Sequence, residues 1–442
     1  MPPGFLFQLK SSPPLHGHAA ATVATYSSLM SSIPDVVNLP VPVPRPEAAS
    51  HSTLTAAQIG IFAIACGLTV ANIFYTQPLI GLIGPALGLA ASRIGLIVTL
   101  TQVGYGIGLL LLVPLSDVLE NRRLVVMALC AVALGLLGIA LSDSPATFMA
   151  ASFVVGLFAA ATQILVPFVS HLAPPAERGR VVGIVMSGLL GGVMLARPFS
   201  SYIAATLGWR AVFYSSSGMM LTLALVLFRL LPQRRPGTGL AYARILRSLP
   251  RLVARTAVLR RRGFYQAMMF AAFNIFWTGV PLLLAREFAF GQVGIALFTL
   301  AGAAGALAAP IAGRLADRGL TRPATGWALV AAFVALVIAV TGGRLHSVAL
   351  LILAALILDA AVQLCQVLSL RSIYMLAPES RGRLNGLFIA CAFLGGATGS
   401  GLAPAIYTFD GWGTLANIGV LFVFAALVLY LSEFPYRGRR TP

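Results

Sequence analysis

Chemistry in this sequence starts from a carboxylate in a place where carboxylates are costly. Of the twelve acidic residues, Asp359 alone lies deep inside an apolar run, near the centre of a helix predicted over 346–371. At 1.5 Å of rise per residue that depth is close to the middle of a bilayer. An aspartate there costs about 2.5 to 3.5 kcal/mol to insert. It is kept either because it exchanges a proton or because it pairs with another helix, and the spacing leaves both roles open. Arg197, about two-thirds of the way through a helix predicted over 181–205, is the natural counter-charge. It either meets Asp359 or snorkels to the membrane surface.

Amides accompany the two charges. Asp359, Gln363 and Gln366 fall at i, i+4 and i+7, one face of one helix. Asn72, Tyr75 and Gln77 cluster near the end of the first predicted helix, and Asn274 and Trp277 sit inside the seventh. Taken singly, each is more often an interhelical hydrogen bond than a ligand contact. As a set, with Gln163, they predict a polar path for a small organic substrate.

The elements that must position these residues follow from composition. The chain has 442 residues, 58% hydrophobic and 10% charged, where a soluble domain carries about 25% charged. Too little polar surface exists to coat a water-soluble globule, and each spanning helix needs roughly 20 apolar residues. Twelve helices are predicted, near 56–77, 93–115, 123–142, 146–172, 181–205 and 210–231, then 264–284, 293–313, 323–342, 346–371, 384–407 and 413–433. The expectation is an all-α membrane protein. Its parts are a disordered tail over 1–54, a bundle over 55–231, a basic linker over 232–262, a second bundle over 263–434 and a short tail over 435–442. The tail over 1–54 is Pro, Ser and Ala-rich and lacks the layout of a signal peptide; a start of translation further along, at Met30, is the other possibility.

A net charge of +18 would suggest nucleic acid in a soluble protein. Here the arginines sit in short gaps between apolar runs and set orientation instead. Nine lie between Pro232 and Arg262, and the same side receives Arg122, Arg178, Arg180, Arg314, Arg318, Arg322, Arg381 and Arg383. The other side receives Arg93, Arg210, Arg286 and Arg344. The linker and both termini are therefore expected in the cytoplasm. The cysteines, Cys66, Cys130, Cys365 and Cys391, fall inside apolar runs with no CxxC spacing and no His cluster, which argues against metal or disulfide roles.

The halves repeat. Arg178-Gly179-Arg180 recurs as Arg381-Gly382-Arg383, a shift of 203, and the same shift relates Gly183 to Gly386, Gly208-Trp209 to Gly411-Trp412 and Gln163 to Gln366. The last pair suggests amides facing each other across a pseudo-twofold axis. Leu115-Ser116-Asp117 recurs as Leu315-Ala316-Asp317, shifted by 200. A near-constant offset over several motifs indicates duplication, and repeated bundles of this kind belong to transporter folds. Glycines at Gly188, Gly191 and Gly192, and at Gly395, Gly396, Gly399 and Gly401, predict close helix crossings.

At this point the chain resembles the major facilitator superfamily, whose loop signature G-x-L-A-D-R-x-G-R-[KR] follows helices 2 and 8. The second copy reads Gly313-Arg314-Leu315-Ala316-Asp317-Arg318-Gly319 with Arg322 at the last basic position. In the first copy Leu115, Asp117 and Arg122 fit, while the opening glycine and first arginine do not. Ala71 to Pro78, Leu195-Ala196-Arg197-Pro198 and Leu358 to Gln363 look like the bacterial permeases labelled sugar-efflux or drug-efflux. The antiporter signature of helix 5 lacks its Gly-Pro step here.

The resemblance implies two six-helix repeats, with helices 1, 4, 7 and 10 lining a central cavity. It implies a monomeric secondary transporter, moving its solute by alternating access. Proton-coupled export leads, import or facilitated diffusion through the same fold is the alternative, and a membrane sensor trails because no soluble domain is appended. Asp117 and Asp317 are expected at the N-terminal ends of helices 3 and 9, where the helix dipole favours a carboxylate. With Arg122, Gly313, Arg318 and Arg322 they would form a cytoplasmic gate or, on the plainer view, a topology anchor. No catalytic triad, HExxH motif or nucleotide-binding loop occurs at a plausible place, so neither enzyme chemistry nor ATP drive is expected, and no cofactor or metal is implied.

Overall fold

Apolar runs of this length leave the backbone one way to satisfy itself in lipid, which is to hydrogen-bond along its own helix. The computed structural model describes residues 54–233, 242–376 and 381–433. Apart from Leu54, both expected tails lie outside the described residues. Among the described residues there is no β-strand, and the helices in order are α1 (Ala56–Ala71), α2 (Ile80–Ala86), α3 (Leu96–Leu115), α4 (Asn121–Ala140), α5 (Pro145–Ala159), α6 (Thr162–Leu172), α7 (Arg178–Leu207) and α8 (Trp209–Leu230). After α9 (Tyr242–Arg255) follow α10 (Ala257–Arg286), α11 (Gln292–Ala303), α12 (Ala309–Asp317), α13 (Thr321–Arg344), α14 (Val348–Tyr374) and α15 (Arg381–Leu431).

Nine spans among the described residues are long and apolar enough to cross a membrane. One of them joins two helices at Gly411. Two further runs, α1–α2 and α11–α12, are built from shorter pieces linked by 3₁₀ turns at Gln77–Leu79 and Ala304–Ala308. Starts are marked as the residue types dictate: Thr55 and Gln58 form a capping box on α1, while Ser144 caps α5 and Ser347 caps α14. Helix α10 begins at Ala257, so Arg260, Arg261 and Arg262, expected in the linker, form its opening turns. Loops between successive spans fall alternately at the end that carries the 232–262 linker and at the opposite end.

The duplication is visible in the packing. Gly208 and Gly411, related by the shift of 203, hold φ of +85° and +76°, a left-handed turn that an L side chain resists, each just ahead of a tryptophan that opens the next helix. Gly188 and Gly192 of α7 lie on the backbone of Ala63 and Gly67 in α1; Gly395 and Gly399 of α15 lie in the same way on Ala267 and Ala271 in α10. Gly191, expected at a crossing, faces open space.

The halves meet along two kinds of seam. Helix α3 runs against α15, with Gly95 on Ser400 and Pro404 near the opposite end and Leu109 near Gly386 towards the linker end. Helix α7 packs on α11, at the opposite end, far more than on α12, at the linker end.

Candidate functional site

Asp359 stands near the middle of α14, and its carboxylate is met by an aromatic donor: the Trp277 indole Nε1–H of α10 donates to Asp359 Oδ1 at 2.8 Å. The broken run α11–α12 closes over both residues. A Cβ on Gly302 would lie 2.6 Å from the Trp277 ring, and one on Gly305 would lie 2.6 Å from Asp359 Cβ. Only glycine lets that backbone approach so closely. The carboxylate is thereby taken out of lipid, with 8% of the residue exposed.

Arg197 of α7 is 4% exposed and lies across the same ring. Its guanidinium carbon sits 4.5 Å from the Trp277 centroid, 5.1 Å from Phe273 and 5.2 Å from Phe74, within cation–π range of all three. Arg197 Nε donates to Gln77 Oε1 at 2.9 Å, while Nη2 is buried with no hydrogen-bond partner. The opposite charges of Arg197 and Asp359 interact electrostatically. Among the described residues, however, no ion pair within 4.0 Å joins them. Arg197 thus takes neither expected alternative, snorkelling outward or pairing directly with Asp359; the Trp277 ring stacks on one charge and donates to the other.

Amides extend the group. Gln77 Nε2 and Gln102 Nε2 both donate to Asn274 Oδ1, at 2.7 and 2.5 Å, and Asn274 Nδ2 donates to the Phe270 carbonyl at 2.8 Å. Gln77 is delivered by the break between α1 and α2, where Pro78 interrupts the helix and Asn72 takes up freed carbonyls, donating to Leu68 and Thr69 oxygens. Gln102 was not among the residues expected from sequence. Its burial in an apolar helix, the criterion that singled out Asp359, would have found it. Gln102 Oε1 is a second buried atom without a partner. Residues from both bundles therefore close one polar layer: Gln77, Gln102 and Arg197 from the first, Asn274, Trp277 and Asp359 from the second.

The comparisons with known proteins bear on what such a layer serves. The sequence profile of the Major Facilitator Superfamily matches residues 59–291 and again 262–442. The chain belongs to the major facilitator superfamily. An uncharacterized transporter of Escherichia coli O157:H7, YgaY, is 39% identical over 382 residues, covering 86% of this chain and 96% of that protein. The probable transporter SCO4007 of Streptomyces coelicolor is 31% identical over 397 residues, covering 89% and 91%. A solved D-xylose-proton symporter shares the fold at a TM-score of 0.67 and 16% identity, over 84% of this chain and 96% of that one. The protein is a membrane transporter of small molecules, and not an enzyme.

Other residues expected to line the superfamily cavity are distributed less evenly. Asn72 turns back into its own bundle, accepting from Ser216 Oγ at 2.7 Å. Tyr75 is buried beside Phe199. Gln163 donates to the Tyr105 hydroxyl at 3.4 Å and accepts from Asn385 Nδ2 at 3.3 Å. Among the described residues no hydrogen bond joins Gln163 to Gln366, so the expected facing amides are replaced by a Gln163–Asn385 bridge between α6 and α15. Gln363 and Gln366 are half-buried, one and two turns below Asp359 on the linker side. Phe393 of α15 packs on Phe74, Tyr105 and Phe270 at 6.4, 4.4 and 5.0 Å.

The superfamily loop motif differs from expectation at both copies. Asp117 lies in the turn after α3, and the N-cap of α4 is Glu120, which accepts from the backbone N–H groups of Arg122 and Arg123. Asp317 closes α12 instead of opening the next helix, and pairs with Arg371 of α14 at 2.6 Å. A carboxylate at a helix C-terminus is disfavoured by the dipole, and the arginine offsets that. Arg122 stacks on Phe228 at 4.2 Å, and Arg322 donates to the Glu433 carbonyl. Arg318 caps the end of α12, and Gly313 faces open space.

Proposed function

We propose that this transporter works by alternating access, exporting a small organic solute in exchange for protons, with Asp359 as the proton carrier. The observation that carries this is the pair of opposite charges, one from each bundle, held apart by a single indole ring. Such a pair is poised between two arrangements. With Asp359 ionised, Arg197 and Trp277 hold the two bundles together through it. When Asp359 takes a proton, the guanidinium loses its counter-charge and the bundles are freed to rock about the layer. Arg197 Nη2 and Gln102 Oε1, both without partners, supply a donor and an acceptor to a solute that reaches the layer, while Tyr75, Gln163, Gln363 and Gln366 line its route.

In this account the chain crosses the inner membrane twelve times as a monomer, counting the broken runs and the two helices of α15 separately. The linker end is cytoplasmic because arginine stays inside. The Asp317–Arg371 and Arg322–Glu433 contacts belong to the cytoplasmic gate. Few charges lie within the membrane, which favours a neutral or amphiphilic cargo. Import is the second direction, favoured by the absence of the Gly-Pro step in α7, where the sequence has Ala196-Arg197-Pro198.

The test is substrate-induced proton flux. Proteoliposomes with a trapped pH dye are offered a panel of neutral and amphiphilic compounds. A compound that shifts the dye with the unsubstituted protein and not with Asp359→Asn supports the assignment. Equal responses from both would refute the proton-carrier role, and the sign of the shift reports direction.

A further inference from the structure

The linker helix α9 carries a pattern that transport does not use. Arg244, Arg247, Arg251 and Arg255 recur at spacings of three, four and four, one stripe along a helix. All four are exposed. Among the described residues, none of these side chains has an ion-pair or hydrogen-bond partner, and α9 itself contains no acidic residue. The opposite stripe is apolar: Ile245 and Leu249 are buried, and Leu246, Leu252 and Val253 pack on the bundle core.

The seat of that apolar stripe sets its depth. The Tyr242 hydroxyl donates to the Leu111 carbonyl at 2.9 Å, four residues before α3 ends at Leu115. Four residues of helix are about 6 Å, so α9 starts just over one turn from the end of a membrane span. Further along, Ser248 Oγ accepts from Arg383 at the start of α15 at 3.2 Å. Leu249 lines a small hollow together with Leu109 and Val113 of the first bundle and Gly386 and Leu387 of the second. The helix is therefore held across the seam between the bundles, near the linker-side ends of α3 and α15. A basic stripe at that level, with a tyrosine at one end, is the chemistry of an interfacial helix on an anionic surface.

We propose that the arginine stripe of α9 is a binding site for the headgroups of anionic phospholipids. The occupant is lipid because the stripe is cationic and unpartnered and its helix is held at the linker-side ends of two membrane-spanning helices, α3 and α15. Occupancy presses α9 onto the α3–α15 seam, so the lipid charge of the leaflet bears on how readily the linker end opens.

Amide hydrogen exchange over 242–255 tests this with the full chain in vesicles of phosphatidylcholine alone or mixed equally with phosphatidylglycerol. Each arginine near an anionic surface strengthens association about fivefold, so exchange should slow about tenfold or more when phosphatidylglycerol is present. The combined variant Arg244→Gln, Arg247→Gln, Arg251→Gln and Arg255→Gln should lose the difference, and the four Lys replacements should keep it. Unchanged exchange over Ala257–Arg286 verifies that each variant is folded. Equal exchange in the two vesicle types would overturn the proposal and leave the stripe to a soluble acidic partner. Slowing by soluble glycerol phosphate in phosphatidylcholine vesicles would overturn it too, in favour of a free-phosphate site.

Discussion

The two bundles differ in chemistry where their repeats place the same crossing. In the first bundle α5 meets α3 through Gly156, whose added Cβ would lie 2.0 Å from the Thr101 carbonyl; Gly104 reciprocates against Phe153 and Leu157. In the second bundle the shift of 203 carries 156, 153 and 157 to 359, 356 and 360. There Gly305 lies on Leu356 and Ala360 as Gly104 does on their mates, while the glycine at 156 is replaced by Asp359. Phe74, which has no donor, is likewise matched by Trp277, which donates to that aspartate. Arg197 is matched by Ser400, whose hydroxyl donates to the Ala397 carbonyl of its own helix. One crossing is sealed backbone to backbone and can only pack. The other carries one glycine, a carboxylate in place of the second and an indole that donates to it, so the polar pair belongs to one copy of the crossing and not the other.

Placing the aspartate in the wrong copy should break this comparison outright. Gly156→Asp drives a charged side chain into the α3 backbone with no indole to meet it, an overpacked and unpaired site that costs about 5 kcal/mol or more. No monodisperse folded protein is expected on size-exclusion chromatography in detergent. Arg197→Met should rank next, because it strands Asp359 without its counter-charge, at a cost of about 3–5 kcal/mol. Adding Asp359→Asn should recover most of that, which thermal melting of the purified variants would register as a higher midpoint for the double variant than for the single one. Additive losses would mean that the two charges act independently. Smaller effects separate the aromatic mates. Trp277→Phe keeps a ring under Arg197 but removes the donor to Asp359, worth about 1.5–3 kcal/mol for a bond to a charged group. Phe74→Leu removes one cation–π face, about 0.5–2 kcal/mol. If the order of these two midpoints is reversed, the hydrogen bond is not what distinguishes the second copy.

Much of this site was legible before any coordinates because lipid makes polar side chains expensive. Asp359, Arg197, Gln77, Asn274 and Trp277 all stood out as exceptions in apolar runs, and all five belong to the closed layer. What spacing could not supply was partnership. That Asn72 serves its own bundle, that Gln163 meets Asn385 and not its repeat mate, and that an indole stands between the charges are facts of tertiary geometry. They depend on helix rotation and on the breaks at Gln77 and Ala304. Asp317 shows the same limit at a helix end. Its register within the loop motif was readable, but whether it closed one helix or opened the next turned on a boundary shift of a few residues.

On the proposed mechanism, protonation of Asp359 links the bundles to the proton gradient. That link is tested most directly by comparing two modes of transport in the same proteoliposomes, with any compound that shifts the trapped dye. Asp359→Asn should still exchange labelled for unlabelled compound across the membrane, because a neutral side chain at 359 leaves rocking permitted. It should no longer accumulate the compound when a pH gradient is imposed, whereas the unsubstituted protein should do both. Accumulation by Asp359→Asn to the unsubstituted level would contradict the account.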